Sequence, residues 1–223
     1  MQIGCDPKAD STITLRHGQA MPTVLDLVRA RKDAFTLEEM TRTGYAGVVC
    51  VEAGGPTPGM GCAGRGIIAA LEKLAEKGAY ERYRPDVVFY DVLGDVVCGG
   101  FSMPMRGGYA DRVLIITSGE NMAIHAAANI AMALDHFKDR GYARLGGLIL
   151  NRRDVPREEE KAAELAEDLH SAIIGSLHRS ETVQEAEELG KTVLEAFPDS
   201  ARAEEYRALA RQVLRQAGGE KVC

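Results

Sequence analysis

The sequence predicts an α/β domain built on a mostly parallel sheet with helices on both faces. Three observations predict it: short apolar runs alternate with longer segments of helical period, polar or glycine-rich loops follow several of the apolar runs, and no internal repeat interrupts the alternation. Strands are expected over 48–51, 87–92, 113–117, 145–150 and 172–176, where valine, isoleucine and leucine cluster. Helices are expected over 67–77, 122–138, 157–169, 183–188 and 203–216. In the last of these, Tyr206, Leu209, Ala210, Val213 and Ala217 recur at steps of mostly three and four, an apolar stripe suited to docking on the domain. The charged, proline-bearing stretch 153–160 reads as a surface loop entering a helix, with Glu158, Glu159, Glu160 and Lys161 as its solvated first turn. No shift in composition marks a second domain, so residues 1–223 read as one.

The chain has 223 residues, of which 45% are hydrophobic and 27% charged, enough to bury its own core. A formal charge of −6 argues against a nucleic-acid surface. No apolar run is long enough to span a bilayer, and the N-terminus lacks the basic and apolar segments of a secretion signal, so a cytoplasmic protein is expected. Five cysteines, Cys5, Cys50, Cys62, Cys98 and Cys223, are an odd number in a chain too large to need disulfide staples. Cys50 lies in an apolar run and reads as a buried thiol, and Cys223 is the last residue, a poor place for a ligand. Cys62 and Cys98 differ because glycines surround both, letting the backbone approach a bulky inorganic group. Two thiolates are half the donor set of a [4Fe-4S] cluster, and a symmetric dimer would supply the other half. The same four thiolates would also suit a tetrahedral zinc site.

Function on such a sheet belongs at the carboxyl ends of its strands. Asp91 closes the apolar run Val87-Val88-Phe89-Tyr90 and is followed by Leu93-Gly94-Asp95, like a Walker B acid that reaches a nucleotide-bound Mg²⁺; an ordinary strand-to-turn aspartate gives the same pattern. The loop Gly4-Cys5-Asp6-Pro7-Lys8-Ala9-Asp10-Ser11-Thr12 gathers carboxylates, a lysine and two hydroxyls, suited either to Mg²⁺ and a hydrolytic water or to a polar capping turn. The phosphate loop G-x-x-x-x-G-K-[ST] is absent from the sequence. The expectation is a chain that begins inside its domain, with about 35 further residues needed for a strand, a phosphate loop and a helix. His125 and His136 read as surface or partly packed side chains, and Met103 and Met105 as packing or interface residues.

Four stretches together resemble the nitrogenase iron protein and its nitrogenase-like reductase relatives, a SIMIBI-type branch of the P-loop NTPase-like fold. They are residues 4–12; Glu52-Ala53-Gly54-Gly55-Pro56-Thr57-Pro58-Gly59-Met60-Gly61-Cys62-Ala63-Gly64-Arg65-Gly66; Phe89-Tyr90-Asp91-Val92-Leu93-Gly94-Asp95-Val96-Val97-Cys98-Gly99-Gly100-Phe101; and Arg144-Leu145-Gly146-Gly147-Leu148-Ile149-Leu150-Asn151. The resemblance implies a homodimer with one bridging [4Fe-4S] cluster and one MgATP or MgADP site per subunit. Such a protein takes electrons from a ferredoxin or flavodoxin and passes them singly to a larger nitrogenase-like partner while hydrolysing ATP. Cys62 and Cys98 match the cluster ligands, Lys8 and Asp10 the first switch, and Asp91 and Asp95 the second switch, which serves the Mg²⁺ and the attacking water. Asn151 matches a residue beside the nucleotide base, Arg65 an arginine that is ADP-ribosylated in some relatives, and Phe101 an aromatic near the cluster. In this scheme Asp91, Asp95 and Cys98 share one short segment with Gly94 as its pliable point, so the nucleotide end can move the cluster end.

The departures are the phosphate loop and two stretches, Arg152-Arg153-Asp154-Val155-Pro156 and Ile173-Ile174-Gly175-Ser176-Leu177-His178, that fit the family less well. Two other readings remain: a truncated noncatalytic dimer with a binding or regulatory role, and an ATPase of the related partition and scaffold classes. The second accounts for the switch acids but not for the glycine-rich loops around both cysteines.

Overall fold

The computed structural model describes residues 1–55, 63–94, 103–105 and 108–218. In chain order its elements begin with β1 (Gln2–Gly4), α1 (Val24–Arg31), α2 (Leu37–Met40), β2 (Arg42–Thr43), β3 (Val49–Glu52), α3 (Ala63–Glu76), α4 (Ala79–Tyr83) and β4 (Phe89–Asp91). They continue with β5 (Arg112–Thr117), α5 (Asn121–Phe137), β6 (Arg144–Asn151), α6 (Glu158–Asp168), β7 (Ile173–Leu177), α7 (Glu181–Glu188), α8 (Val193–Ala196) and α9 (Ala201–Gln216). The expected α/β architecture is present: parallel strand pairs flanked by helices. Every expected strand and helix forms with ends moved by one or two residues, except that α3 starts four residues early, at Ala63.

The elements that periodicity did not predict are short. β1 has three residues at the chain start, and β2 has two. α1 and α2 are marked by caps: Thr23 Oγ1 accepts from the Asp26 N–H at 3.1 Å, and Thr36 with Glu39 forms a capping box. The four-residue helix α2 is too short to show a period, whereas its box could be read from the Thr-x-x-Glu spacing.

The chain divides into two compact units. The first comprises Met1–Pro104 and Glu185–Ala196, the second Met105–Gln184 and Phe197–Cys223. In the first, the strand order is β2-β3-β1-β4, with β1 parallel to both β3 and β4, and β2 antiparallel to β3. Ile67, Ala70, Leu71 and Leu74 of α3, spaced three, four and seven apart, are fully buried, as are Ile3, Val24, Met40 and Val51. Cys50 is buried as expected, and so is Cys5. The 185–196 return is fastened by His17 Nδ1 and Glu195 Oε1 at 3.2 Å and by the Tyr45 hydroxyl donating to the Leu194 carbonyl at 3.4 Å.

The second unit carries the all-parallel sheet β5-β6-β7. Ile115, Leu148, Ala127, Ala131, Leu165 and Ala166 make its core between the sheet and helices α5 and α6. Gly147 sits where the register slips, opposite Leu114, at φ +141°, and a Cβ there would lie 2.6 Å from Ile174 Cγ2. Helix α9 docks on β7 through Leu209, which packs onto Gly175; Ala210 and Ala217 of the expected stripe are exposed. His125 and His136 are exposed.

Glu158 does not lie in a solvated turn: it is 3% exposed, accepting from Arg152 Nε at 2.7 Å and from the Arg153 N–H at 2.9 Å. Gly119 makes room for it, since a Cβ at that position would meet the Glu158 Cα and Cβ. Glu159 and Glu160 stay exposed.

Candidate functional site

Parallel register brings three strand ends together. Gly4 closes β1, with Glu52 of β3 on one side and Asp91 of β4 on the other. The chain leaving Gly4 must then turn back over these two carboxylates, and residues 6–12 form that turn. It is built locally: the Lys8 N–H donates to Asp6 Oδ1 at 2.8 Å, the Ala9 N–H to the Asp6 carbonyl at 3.1 Å, and the Ile13 N–H to the Asp10 carbonyl at 3.2 Å. Ala9 takes a left-handed conformation, φ 55°, which is costly for a residue with a Cβ and places Lys8 and Asp10 on the outside of the turn. Lys8 Nζ lies 3.6 Å from Asp6 Oδ2 and 3.7 Å from Asp10 Oδ2, in solvent.

Each flanking strand grips one residue of this loop. Ser11 Oγ donates to Asp91 Oδ2 at 2.7 Å, an exposed contact, and Gln2 Nε2 holds Ser11 from below through its carbonyl at 2.9 Å and its hydroxyl at 3.0 Å. Glu52 Oε1 accepts from the Thr12 N–H at 2.8 Å and the Thr12 hydroxyl at 2.6 Å, and both residues are fully buried. Arg16, 5% exposed, extends the buried chain by donating from Nε to Thr12 Oγ1 at 3.1 Å and from Nη1 to the Gln19 carbonyl. In this buried chain, Glu52 Oε2 and Arg16 Nη2 find no hydrogen-bond partner among the described residues. Burial raises the Glu52 pKa above the usual carboxylate range, against the opposing pull of the Thr12 hydrogen bonds and the Arg16 charge.

Asp10, Ser11 and Asp91 present hard oxygen donors of the kind Mg²⁺ prefers, beside the Lys8 ammonium. Burial, then the charges of Asp91 and Glu52, pushes the Cys5 thiol up to about 12, so Cys5 stays protonated and unsuited to bind a metal. Among the described residues, no three His, Cys, Asp or Glu side chains gather into a metal-binding group.

Of the residues singled out in the sequence, Lys8, Asp10 and Asp91 are brought together at this strand end. Asn151 closes β6 in the second unit, exposed, where the Arg152 N–H donates to the Leu177 carbonyl at 2.8 Å and Arg152 Nη1 lies 2.8 Å from His178 Nε2. Arg65 falls in the first turn of α3, its side chain outside the described residues. Cys62, Asp95, Cys98 and Phe101 also lie outside the described residues. Sequence reasoning missed Glu52 and Arg16, and placed Thr12 only among the hydroxyls of the loop. The available signal was an acid ending the otherwise apolar strand Val49-Cys50-Val51-Glu52.

Solved structures with this architecture include the cell division ATPase MinD of Pyrococcus furiosus, 16% identical with a TM-score of 0.68 over 96% of this chain and 85% of that one. The septum site-determining protein MinD of Pyrococcus horikoshii, complexed with Mg-ADP, is 19% identical with a TM-score of 0.69 over 99% and 86%. A ParA family ATPase from Chlorobium tepidum is 16% identical with a TM-score of 0.65 over 95% and 83%. At these identities the likeness is one of fold, and the fold is that of the SIMIBI-type P-loop NTPases. Sequence takes the assignment further. The chain belongs to the NifH/frxC family of 4Fe-4S iron sulfur cluster binding proteins, whose profile matches residues 1–221. A nitrogenase iron protein from Methanospirillum hungatei JF-1 is 50% identical over 217 residues, 96% of this chain and 76% of that protein. No helix among the described residues is long and apolar enough to cross a membrane.

Proposed function

We propose that this chain is a nucleotide-responsive switch protein that works as a symmetric dimer and, through Cys62 and Cys98 of each copy, holds one shared [4Fe-4S] cluster for electron transfer to a larger nitrogenase-like partner. The observation that carries the switch is the exposed 2.7 Å bond from Ser11 to Asp91, which ties the 6–12 loop to the neighbouring strand end. The anchor that Asp91 gives to Ser11 is open to solvent. A Mg²⁺-bound phosphate arriving there competes with Ser11 for the carboxylate, and Lys8 and Asp10 on the same loop move when that bond opens. Family membership supports the cluster, and 50% identity to a nitrogenase iron protein supports the electron-transfer role. The cluster supplies one-electron chemistry when bound. Asp95 is assigned to the attacking water, Asn151 to the nucleotide base, Arg65 to partner-surface modification, and a ferredoxin or flavodoxin to refilling the cluster.

Anaerobic iron and acid-labile sulfide content, taken with solution mass, tests this reading. About four irons per dimer, abolished by Cys62→Ser or Cys98→Ser, is the expected result. An iron-free monomer that cannot be reconstituted overturns it. Calorimetric titration with MgATP and MgADP tests the switch separately.

A second reading is a noncatalytic dimer with a binding or regulatory role, or a scaffold-type ATPase. The fold shared with MinD and ParA-type proteins suits either form. An iron-free dimer with an unchanged nucleotide titration would select the noncatalytic form.

A further inference from the structure

The two carboxylates that flank Gly4 hold the 6–12 loop in different ways. Asp91 makes a solvent-exposed bond to Ser11, which water or a ligand can replace. Glu52 makes two buried bonds to Thr12, the next residue, which water does not reach. Burying a carboxylate with one oxygen unpartnered is unfavourable, and an apolar side chain would fill the same space without that cost. Gly4 makes the arrangement possible: a Cβ there would strike Glu52 Oε2 and lie 2.6 Å from Ser11 Cβ.

The turn after Glu52 is fastened to the same loop. The Ala53 N–H donates to the Gly4 carbonyl at 2.8 Å, Gly54 turns at φ +81° against Thr23, and Gly55 packs directly onto Pro7, leaving no room for a Cβ. The Leu25 N–H on the Ala53 carbonyl at 3.2 Å and Arg29 Nη2 on the Gly55 carbonyl complete the fastening.

We propose that Glu52 is a positioning residue: its buried bonds to Thr12 make that residue the fixed pivot of the 6–12 loop and join the loop to the 53–55 turn, so that release of Ser11 from Asp91 swings residues 6–11 about Thr12. The role of the loop in sensing a nucleotide rests on the reading given above; the pivot itself does not. In this geometry the two grips divide the work. Asp91 is the releasable latch and Glu52 the permanent hinge.

The test is amide hydrogen exchange on the full chain, comparing wild type with Glu52→Gln, Glu52→Leu and Thr12→Val. Gln keeps an acceptor for both Thr12 donors, whereas Leu removes it and Val removes the hydroxyl from the loop side. The expected result is exchange in residues 6–13 faster by roughly 10-fold in Glu52→Leu and by a smaller factor in Thr12→Val, with Glu52→Gln close to wild type and Ile3 and Val51 unchanged in all three. Asp91→Ala, which removes the acceptor of the Ser11 hydroxyl, should loosen residues 6–11 while leaving Thr12 protected. Unchanged loop exchange in both Glu52→Leu and Thr12→Val overturns the pivot. So does acceleration spread evenly through β1 and β3, the mark of a merely structural role. Titration of the wild type with MgADP is read independently: a blank titration counts against the nucleotide reading alone, and the exchange pattern still decides the role of Glu52.

Discussion

Two buried glutamates, one in each unit, have opposite electrostatic fates. Glu52 sits over Gly4 and Glu158 over Gly119, each in space that a glycine leaves open. Both are shielded from solvent, at 0% and 3% exposure. Glu158 finds a partner for each oxygen, Arg152 Nε and the Arg153 N–H, and its pKa falls below the usual carboxylate range, with the Arg152 hydrogen bond as the largest cause. Glu52 has both its bonds on one oxygen, none on the other, and its pKa rises because desolvation outweighs Thr12 and Arg16. Burial therefore does not set the state of a carboxylate by itself; a directly bonded guanidinium, as Arg152 is to Glu158, outweighs it. The comparison also separates roles. Glu158 braces the start of α6, while Glu52 holds the loop that carries Lys8 and Asp10.

The largest test of this contrast is Gly119→Ala against Gly4→Ala. The new methyl at 119 meets the backbone of α6 as well as Glu158, which cannot move aside, so a loss of about 3 kcal/mol is expected in urea unfolding. At position 4 it meets the end of a side chain and Ser11 Cβ, and a loss of about 1–2 kcal/mol is expected, with faster exchange confined to the 6–13 segment. Equal losses would erase the distinction between brace and hinge.

Next in size is the response to acid. The lowered pKa of Glu158 contributes stability that is present above its unfolded value of 4.5 and lost as pH falls through the folded value. The raised pKa of Glu52 contributes in the opposite sense: present below 4.5 and lost as pH rises through the folded value. Unfolding measured between pH 3 and 7 should show a weaker acid-side loss in Glu158→Gln and a higher Tm at pH 7 in Glu52→Gln. A fall in Tm at neutral pH for Glu52→Gln would show that its charge stabilises the fold.

A separate test, confined to alkaline pH, belongs to Cys5. Its pKa, raised from 9.0 to about 12 by burial and by Asp91 and Glu52, means that stability is full below pH 9 and is lost as pH rises toward about 12. Native Cys5 should stay unalkylated by iodoacetamide at pH 8 and react only after unfolding, as read by peptide mass; Cys5→Ala should reduce the alkaline slope. Rapid native alkylation would mean that the 4–12 segment opens easily, against the pivot at Thr12.

Much of this molecule is determined by the sequence alone, because the signals are local. Apolar runs of four to eight residues, rich in β-branched side chains and bounded by loops, read as strands, and the stripe of α3 at Ile67, Leu71 and Leu74 reads as a core face. Family membership is equally legible, since the stretches around Lys8, Cys62, Cys98 and Gly146 are long contiguous words. Lys8, Asp10 and Asp91 could be singled out for the same reason. What only the tertiary structure decided is which distant residues share a strand end. Glu52 ends an apolar strand and Glu158 opens a charged run that reads as a solvated helix start, and neither segment shows what the buried carboxylate meets. Their burial depends on Gly4 and Gly119, which lie 48 and 39 residues away, and on parallel register and helix docking that no local pattern encodes. Hydrophobic period is a property of a segment, whereas the partner of a buried charge is set by long-range pairing, and so that choice appears only when the chain is folded.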